Sequence, residues 1–173
     1  MANIFPARAT LLGLGLAAAT VMLDQATKWW VVNVLMQPPR SIEVTSFFDL
    51  VMVWNRGISF GMFNDSGAII RWALPILAIL ISVALLVWLW RVRDPLTAIA
   101  LGLIIGGAIG NLTDRLIYDG AVADFLSFHA GGYAWPAFNI ADAAITVGAI
   151  TMVADSLFSN SERNKNQSSM DSQ

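Results

Sequence analysis

Four long apolar segments constrain the fold of this 173-residue chain more than any other feature of its sequence. They cover residues 11–35, 69–90, 96–117 and 138–158. A helix needs about 20 mainly apolar residues to cross roughly 30 Å of hydrocarbon, where it satisfies its own backbone N–H and C=O groups. Only 13% of the residues are charged, against about 25% in soluble domains. The sequence therefore predicts an all-α membrane protein, a four-transmembrane-helix bundle that forms a single domain over residues 1–158.

The first apolar segment also has some features of a cleaved signal peptide. Arg8 precedes it, and Ala17, Ala18 and Ala19 could form a small-residue cleavage site. The apolar run continues past these alanines to Leu35, however, which is long enough to span a membrane. We therefore expect this segment to be retained as the first transmembrane helix.

Several kinds of site are excluded by composition and motif. The chain has no cysteine, which rules out disulfides, thiolate nucleophiles and thiolate metal ligands. A net charge of −2 gives no basic surface for nucleic acid. The sequence contains neither a His-Glu-x-x-His zinc motif nor a Gly-x-Ser-Gly serine that could pair with a histidine. No nucleic-acid partner is expected.

The basic residues near the ends of the segments predict the orientation in the membrane. Five of them fall on one side and three on the other: Arg8, Arg91, Arg93, Arg163 and Lys165 against Arg40, Arg56 and Arg71. Cytoplasmic loops carry the excess of lysine and arginine. Both termini are therefore predicted to be cytoplasmic, and the two longer connections to be outside. The polar residues 159–173 predict a disordered cytoplasmic tail.

The two outer connections differ in composition. Residues 41–63 are rich in β-branched and aromatic residues, with a turn signal at Asn55-Arg56-Gly57. This pattern predicts a small extracytoplasmic β-sheet on the membrane surface. The second connection, 118–136, is interpreted as a loop that carries Asp124 and His129. The sequence gives His129 no partner, so we interpret it as a solvated side chain.

Polar residues also occur within the first and third apolar segments. Asp24 and Lys28 are four residues apart, so they share one helix face and can form an ion pair that fixes helix packing. Asn111, Asp114 and Arg115 follow the same helical spacing near the outer end of the third segment. Asp114 and Arg115 could alternatively be charges that extend toward the membrane surface.

Asp124 and Asp142 stand out because each lies where an apolar segment meets the outer side. A carboxylate at membrane depth costs roughly 2.5–3.5 kcal/mol on insertion scales, so it indicates function. Asp142 lies in the first turn of the fourth helix, where the helix dipole favours an anion, and Asn139 could be only its N-cap. Two carboxylates held close together share one proton, as acid/base hydrolysis of a peptide requires.

Together these residues resemble the motifs of the lipoprotein signal peptidase (signal peptidase II) family. Four blocks occur in order along the chain: Asp24-Gln-Ala-Thr-Lys28, Asn55-Arg-Gly57-Ile-Ser-Phe60-Gly61, Gly110-Asn111-Leu-Thr-Asp114-Arg115 running to Val122-Ala-Asp124-Phe125, and Phe138-Asn139-Ile-Ala141-Asp142. They extend from the first predicted helix to the fourth. The set as a whole is far more specific than any one block.

The resemblance implies a bacterial inner-membrane aspartyl endopeptidase that cleaves diacylglyceryl-modified prolipoproteins just before the lipidated cysteine. It implies that Asp124 and Asp142 are the catalytic pair and that the active site of the enzyme faces the outer side of the membrane. Other matching positions divide into substrate-binding residues, Asn55, Gly57, Asn111, Arg115 and Asn139, and structural polar residues, Asp24, Lys28 and Asp114. The resemblance implies no metal or organic cofactor. It also implies that membrane lipid surrounds the protein and that globomycin-like cyclic peptides inhibit it. A monomer is expected.

Acidic residues in membrane segments also occur in three other classes of protein. A transporter or channel could use intramembrane acids, but no inverted repeat or mid-span break is visible. A non-catalytic scaffold would not need acids at both Asp124 and Asp142. A Mg²⁺-dependent lipid transferase could use Asp114, Asp119 and Asp124, although their five-residue spacing fits a helix poorly.

Overall fold

The computed structural model describes residues 8–57 and 67–170, with side-chain surroundings for 8–57 and 72–158. The elements in chain order are α1 (Arg8–Trp30), a π-helical turn (Val31–Leu35), β1 (Ile42–Thr45), β2 (Phe48–Asn55), α2 (Gly67–Leu89), α3 (Pro95–Ile117), β3 (Val122–Ala130), β4 (Tyr133–Ala134) and α4 (Ile140–Met170). Within these residues, four helices are long and apolar enough to cross a membrane. The predicted four-helix membrane bundle with a small sheet is confirmed.

The last helix differs from the sequence prediction at its C-terminal end. The tail after residue 158 was predicted to be disordered, whereas α4 continues through Met170. No proline or glycine occurs between Ser159 and Met170, so nothing in the sequence interrupts the backbone hydrogen-bond pattern. The polarity of this stretch was therefore not a sufficient reason to predict the absence of a helix.

Helix α3 is the centre of the bundle and packs against α1, α2 and α4. Gly102 and Gly106 face the backbone of α1, while Gly107 and Gly148 lie between α3 and α4. A Cβ atom at any of these four positions would meet the neighbouring helix. Small residues allow this close approach of backbones in membrane bundles. Within the described residues, by contrast, packing between α2 and α4 is slight at most.

The sheet has four antiparallel strands in the order β1-β2-β3-β4. Strands β1 and β2 fall in the predicted β-rich segment, whose residues 58–63 lie outside the described part of the chain. The prediction of a loop over residues 118–136 was wrong, because β3 and β4 form there. Asp124, Ser127 and His129 interrupt the apolar pattern of β3, so only its pairing with the distant β2 reveals it as a strand.

Strand register places polar side chains of the sheet beside the start of α4. Val53 pairs with Asp124, so Asn55, two residues further along β2, lies diagonally opposite Asp124 on the same face. Beyond Asp124, the backbone of Leu126 exchanges hydrogen bonds of 2.9 and 3.0 Å with Phe138. This contact folds the chain back so that the residues after Phe138 reach Asp124.

Candidate active site

Asn139 connects the two aspartates that the sequence singled out. Its side-chain Nδ2 donates a 2.6 Å hydrogen bond to Oδ1 of Asp124, and its backbone N–H donates to Oδ2 of Asp142 at 3.2 Å. Asn139 is fully buried, and Asp124 is 1% exposed. The structure thus brings the two carboxyl groups to one site, bridged by a single residue at the start of α4.

The same residue also caps the helix. Oδ1 of Asn139 accepts the backbone N–H of Asp142 at 3.0 Å, which reciprocates the bond from Asn139 N–H to the Asp142 carboxylate. This is a capping box, in which the N-cap and the third helical residue satisfy each other's backbone N–H. The interpretation of Asn139 as an N-cap is therefore correct but incomplete. The capping box orients Asp142, while the side-chain Nδ2 of Asn139 is left to donate to Asp124.

Asn111 on α3 makes a second connection to the acid pair. Its Nδ2 donates a 2.7 Å hydrogen bond to Oδ1 of Asp142. Its Oδ1 accepts from Nζ of Lys28 at 3.0 Å and from Nδ2 of Asn139 at 3.2 Å. Because an ammonium group can only donate, Lys28 fixes the orientation of the Asn111 amide and points its N–H groups toward Asp142.

Asn55 approaches Asp124 from the sheet. Its Nδ2 donates to Oδ2 of Asp124 at 2.9 Å, and its Oδ1 accepts the backbone N–H of Gly57 at 2.7 Å. Gly57 has a φ of +78°, and a Cβ at this position would meet the side chain of Leu74. A glycine is therefore required for the turn that orients Asn55.

Burial raises the pKa of the Asp124 carboxyl from 3.8 to about 6. The hydrogen bond from Asn55 opposes this rise, the nearby charge of Asp142 adds to it, and the hydrogen bond from Asn139 opposes it. A carboxyl group with a raised pKa keeps a proton under conditions where an exposed one has lost it. Such a group can act as a general acid beside an ionised partner.

A buried ion cluster lies directly behind the acid pair. Nζ of Lys28 is 2.9 Å from Oδ2 of Asp24 and 3.0 Å from Oδ2 of Asp114, and all three side chains are at most 2% exposed. The reading of Asp114 as a charge reaching the membrane surface was wrong. Asp114 also accepts the backbone N–H of Ala123 at 3.0 Å, and Asp24 accepts that of Ala141 at 2.9 Å. The cluster thus holds the residues adjacent to both aspartates of the pair.

Sequence reasoning assigned no role to Gln25, which belongs to this cluster. Its Nε2 lies 2.9 Å from Oδ1 of Asp114 and 3.1 Å from both Oδ2 of Asp24 and the carbonyl oxygen of Gly110. An amide in an otherwise apolar helix, beside the pair Asp24 and Lys28, was a sequence signal that could have identified it. The backbone N–H groups of Ala123 and Ala141 also donate to this cluster, but no sequence pattern indicated them.

Arg115 supplies positive charge beside the acid pair. Its half-buried guanidinium donates to the carbonyl oxygen of Asn111 at 3.3 Å and interacts electrostatically with Asp142 and Asp124. Its Nε is buried and has no hydrogen-bond partner among the described residues.

Two other sequence interpretations are corrected by the structure. His129 is not a solvated side chain without a partner, since its Nε2 lies 3.2 Å from Oδ2 of Asp49 across the sheet. The proposed magnesium ligands Asp114 and Asp119 point to different partners. Asp114 faces Lys28, and Asp119 is exposed beside Arg56 at 3.9 Å. These carboxylates therefore do not assemble into one ligand set with Asp124.

The chain is similar to known proteins over most of its length. The sequence profile of the family described as "Signal peptidase (SPase) II" matches residues 16–158, which include every residue of the site. This chain belongs to the signal peptidase II family. The matched region extends from α1 into α4, so family membership covers the whole membrane bundle.

Relatives in the signal peptidase II family match most of the chain. A lipoprotein signal peptidase of Methylobacterium radiotolerans is 48% identical over 156 residues, covering 88% of this chain and 87% of the relative. One from Azoarcus sp. is 52% identical over 134 residues, covering 77% and 75%. A solved bacterial membrane enzyme, determined by the in meso method, is 29% identical with a TM-score of 0.73, covering 87% of this chain and 90% of that enzyme.

Proposed function

We propose that this protein is an aspartic endopeptidase that removes the signal peptide from diacylglyceryl-modified prolipoproteins, cutting before the lipidated cysteine. Membership of the signal peptidase II family supports the substrate class. The observation that carries the catalytic assignment is the bridging of Asp124 and Asp142 by Asn139. Two carboxyl groups held by separate donors of the same residue are placed to act on the same peptide bond.

The reaction follows from the different surroundings of the two acids. The Asp142 carboxylate accepts a proton from a water molecule whose oxygen attacks the scissile carbonyl carbon, while Asp124 donates its proton to the carbonyl oxygen. When the tetrahedral intermediate collapses, the C–N bond breaks, Asp142 passes its proton to the amine of the cysteine, and Asp124 recovers its own from the hydroxyl group. Both acids return to their starting states.

The assignment of roles rests on burial and hydrogen bonding. Asp124 is buried and its raised pKa of about 6 favours the protonated form that a general acid needs. Asp142 is half-buried, accepts N–H groups of Asn139 and Asn111, and lies at the positive end of α4. These surroundings suit a carboxylate anion.

Substrate contacts are proposed for the polar groups around the acid pair. These groups belong to Asn55, Gly57, Asn111, Arg115 and Asn139, and the half-buried guanidinium of Arg115 is able to hold a backbone carbonyl group. Strand β1 pairs with β2 only as far as Leu50 in the described residues. The later residues of β2 therefore leave one edge for an extended substrate to join by strand addition.

We also propose a bacterial inner-membrane location with both termini cytoplasmic and the acid pair on the outer side. The excess of basic residues at the opposite end of the bundle supports this orientation. We propose that the protein acts as a monomer. A globomycin-like cyclic peptide would occupy the same polar site as the substrate backbone.

Cleavage by the purified, reconstituted protein tests the function. We expect a diacylglyceryl-modified precursor to be cut before its cysteine, the unmodified precursor to remain intact, and globomycin to inhibit. EDTA should leave the rate unchanged, because the mechanism uses only side-chain acids and water. The proposal fails if the modified precursor is not cut, and a loss in EDTA that Mg²⁺ restores would favour the lipid-transferase alternative.

The pH dependence of cleavage should report the protonation of Asp124. The value of kcat/KM requires the protonated acid, so it should decrease about tenfold per pH unit above an apparent pKa near 6. Replacing Asn55 by Ala removes a hydrogen bond that stabilises the charged form, so this limb should move to higher pH. A pH profile of Asn55→Ala that coincides with that of the wild type would contradict the assignment.

The substitution Asn139→Ser separates the two tasks of Asn139. Serine is a good N-cap, so α4 should keep its start and the protein should remain folded. Serine is too short to donate to Asp124, so we expect cleavage to slow by about 10–100-fold, since one positioned donor at a reacting site contributes about that much or more. Melting temperature and single-turnover rates measure the two effects. If the melting temperature also falls, and the loss of folded protein accounts for the whole loss of cleavage, Asn139 serves only the helix end.

A further inference from the structure

A cavity of about 470 Å³ lies at the end of the bundle opposite the acid pair. It opens between Trp88 of α2, Thr97 of α3 and a stretch of α4 that includes Val153, Asp155 and Ser156. None of these residues takes part in the proposed reaction. Its walls thus come from α2, α3 and α4 together.

The lining of the cavity combines an acid with an aromatic ring. Asp155 is half-buried and has no hydrogen bond or ion pair with any described residue. Trp88 lines the same cavity and is 44% exposed. A carboxylate beside an indole ring attracts lysine and arginine side chains, by charge and by interaction with the face of the ring. The exposed Arg91 and Arg93 of the neighbouring turn do not line the cavity.

The cavity lining on α4 extends around the helix from the face that carries the candidate catalytic Asp142. Val153 and Ser156 follow Asp142 by eleven and fourteen residues, which at 100° per residue places them within about 40° of its direction, whereas Asp155 lies about 140° from it. Asp155 lies thirteen residues from Asp142, a helical rise of about 20 Å.

We propose that this cavity binds the basic n-region of the precursor's signal peptide, with Asp155 as the charge partner of its lysine or arginine. The inference rests on the proposed function. Signal peptides carry a positive n-region before an apolar segment of about 7–15 residues. As a helix, such a segment spans about 10–22 Å, which matches the distance from the acid pair to Asp155. Charge and length therefore both fit this occupant.

A charge exchange between enzyme and precursor tests the proposal. For a lipid-modified precursor with a basic n-region, Asp155→Lys should raise KM about tenfold and change kcat less than twofold, because the contact lies far from the reacting bond. For a precursor whose n-region lysines are changed to glutamate, Asp155→Lys should have a lower KM than the wild type. With a neutral n-region, the two enzymes should have equal KM values, which also verifies that the variant is folded.

Asp94→Ser is the matched control at the same end of the bundle. It removes one negative charge near the cavity without adding a positive one. Serine keeps an oxygen that can cap α3 at Thr97, the lining residue to which Asp94 is hydrogen-bonded. Its KM should stay within twofold of the wild type for all three precursors. Equal KM values for wild type and Asp155→Lys on every precursor would overturn the inference. Failure of the wild type to cut any lipid-modified precursor would instead reject the proposed function.

Discussion

Replacing Asp142 or Asp124 by asparagine should lower the rate of precursor cleavage at least about 10³-fold, because each variant loses one half of the acid/base pair. The asparagine at position 142 still offers an oxygen to the backbone N–H of Asn139, so the capping box of α4 can persist. The variant protein should therefore remain inserted and folded. Single-turnover cleavage of a lipid-modified precursor measures the loss.

Glu43→Gln provides the matched control for this pair of substitutions. Glu43 is an exposed acid on β1, and changing it removes the same charge without affecting the site. Its cleavage rate should stay within twofold of the wild type. Normal turnover by either aspartate variant would reject the catalytic pair. If both variants lose activity because less folded protein is present, a lower melting temperature in thermal unfolding would identify the defect as structural.

Replacing Lys28 by methionine should destabilise the protein by about 3–5 kcal/mol, because it leaves Asp24 and Asp114 as buried acids without their cation. The yield of folded protein should decrease more than the rate per folded molecule. Thermal unfolding in detergent and active-site titration separate these two quantities. A normal melting temperature with a large loss of kcat would instead give Lys28 a direct part in the reaction.

A double substitution adds a sharper test of the ion cluster. Changing Asp114 to leucine together with Lys28→Met removes one cation and one anion, so fewer unpaired charges remain buried. The double variant should then be less destabilised than the sum of the two single variants. Additive effects would show that Lys28 and Asp114 do not depend on each other.

The sequence predicted the helices well because each is a long, local apolar pattern. It predicted the pairing of Asp24 with Lys28 for the same reason, since four residues on a helix fix their distance. Asp124 and Asp142 could be singled out because a carboxylate at membrane depth is rare. These features depend on neighbouring residues or on the cost of burying a single charge.

Contacts between distant segments could not be predicted in this way. Strand β3 depends on pairing with β2, and the partner of His129 lies across that pairing at Asp49. The bridging role of Asn139 requires its backbone and its amide to reach different aspartates at once. Neither local pattern nor composition contains that information, so the geometry of the site needed the folded chain.

The position of Asn139 and Asp142 in the final helix has a consequence for biosynthesis. The site also needs Asn55 from the sheet and Asn111 from α3, so no partial chain that ends before α4 contains both acids with their donors. Chains emerge from the ribosome N-terminus first. On the proposed mechanism, proteolytic competence arises only when the last segment has been inserted.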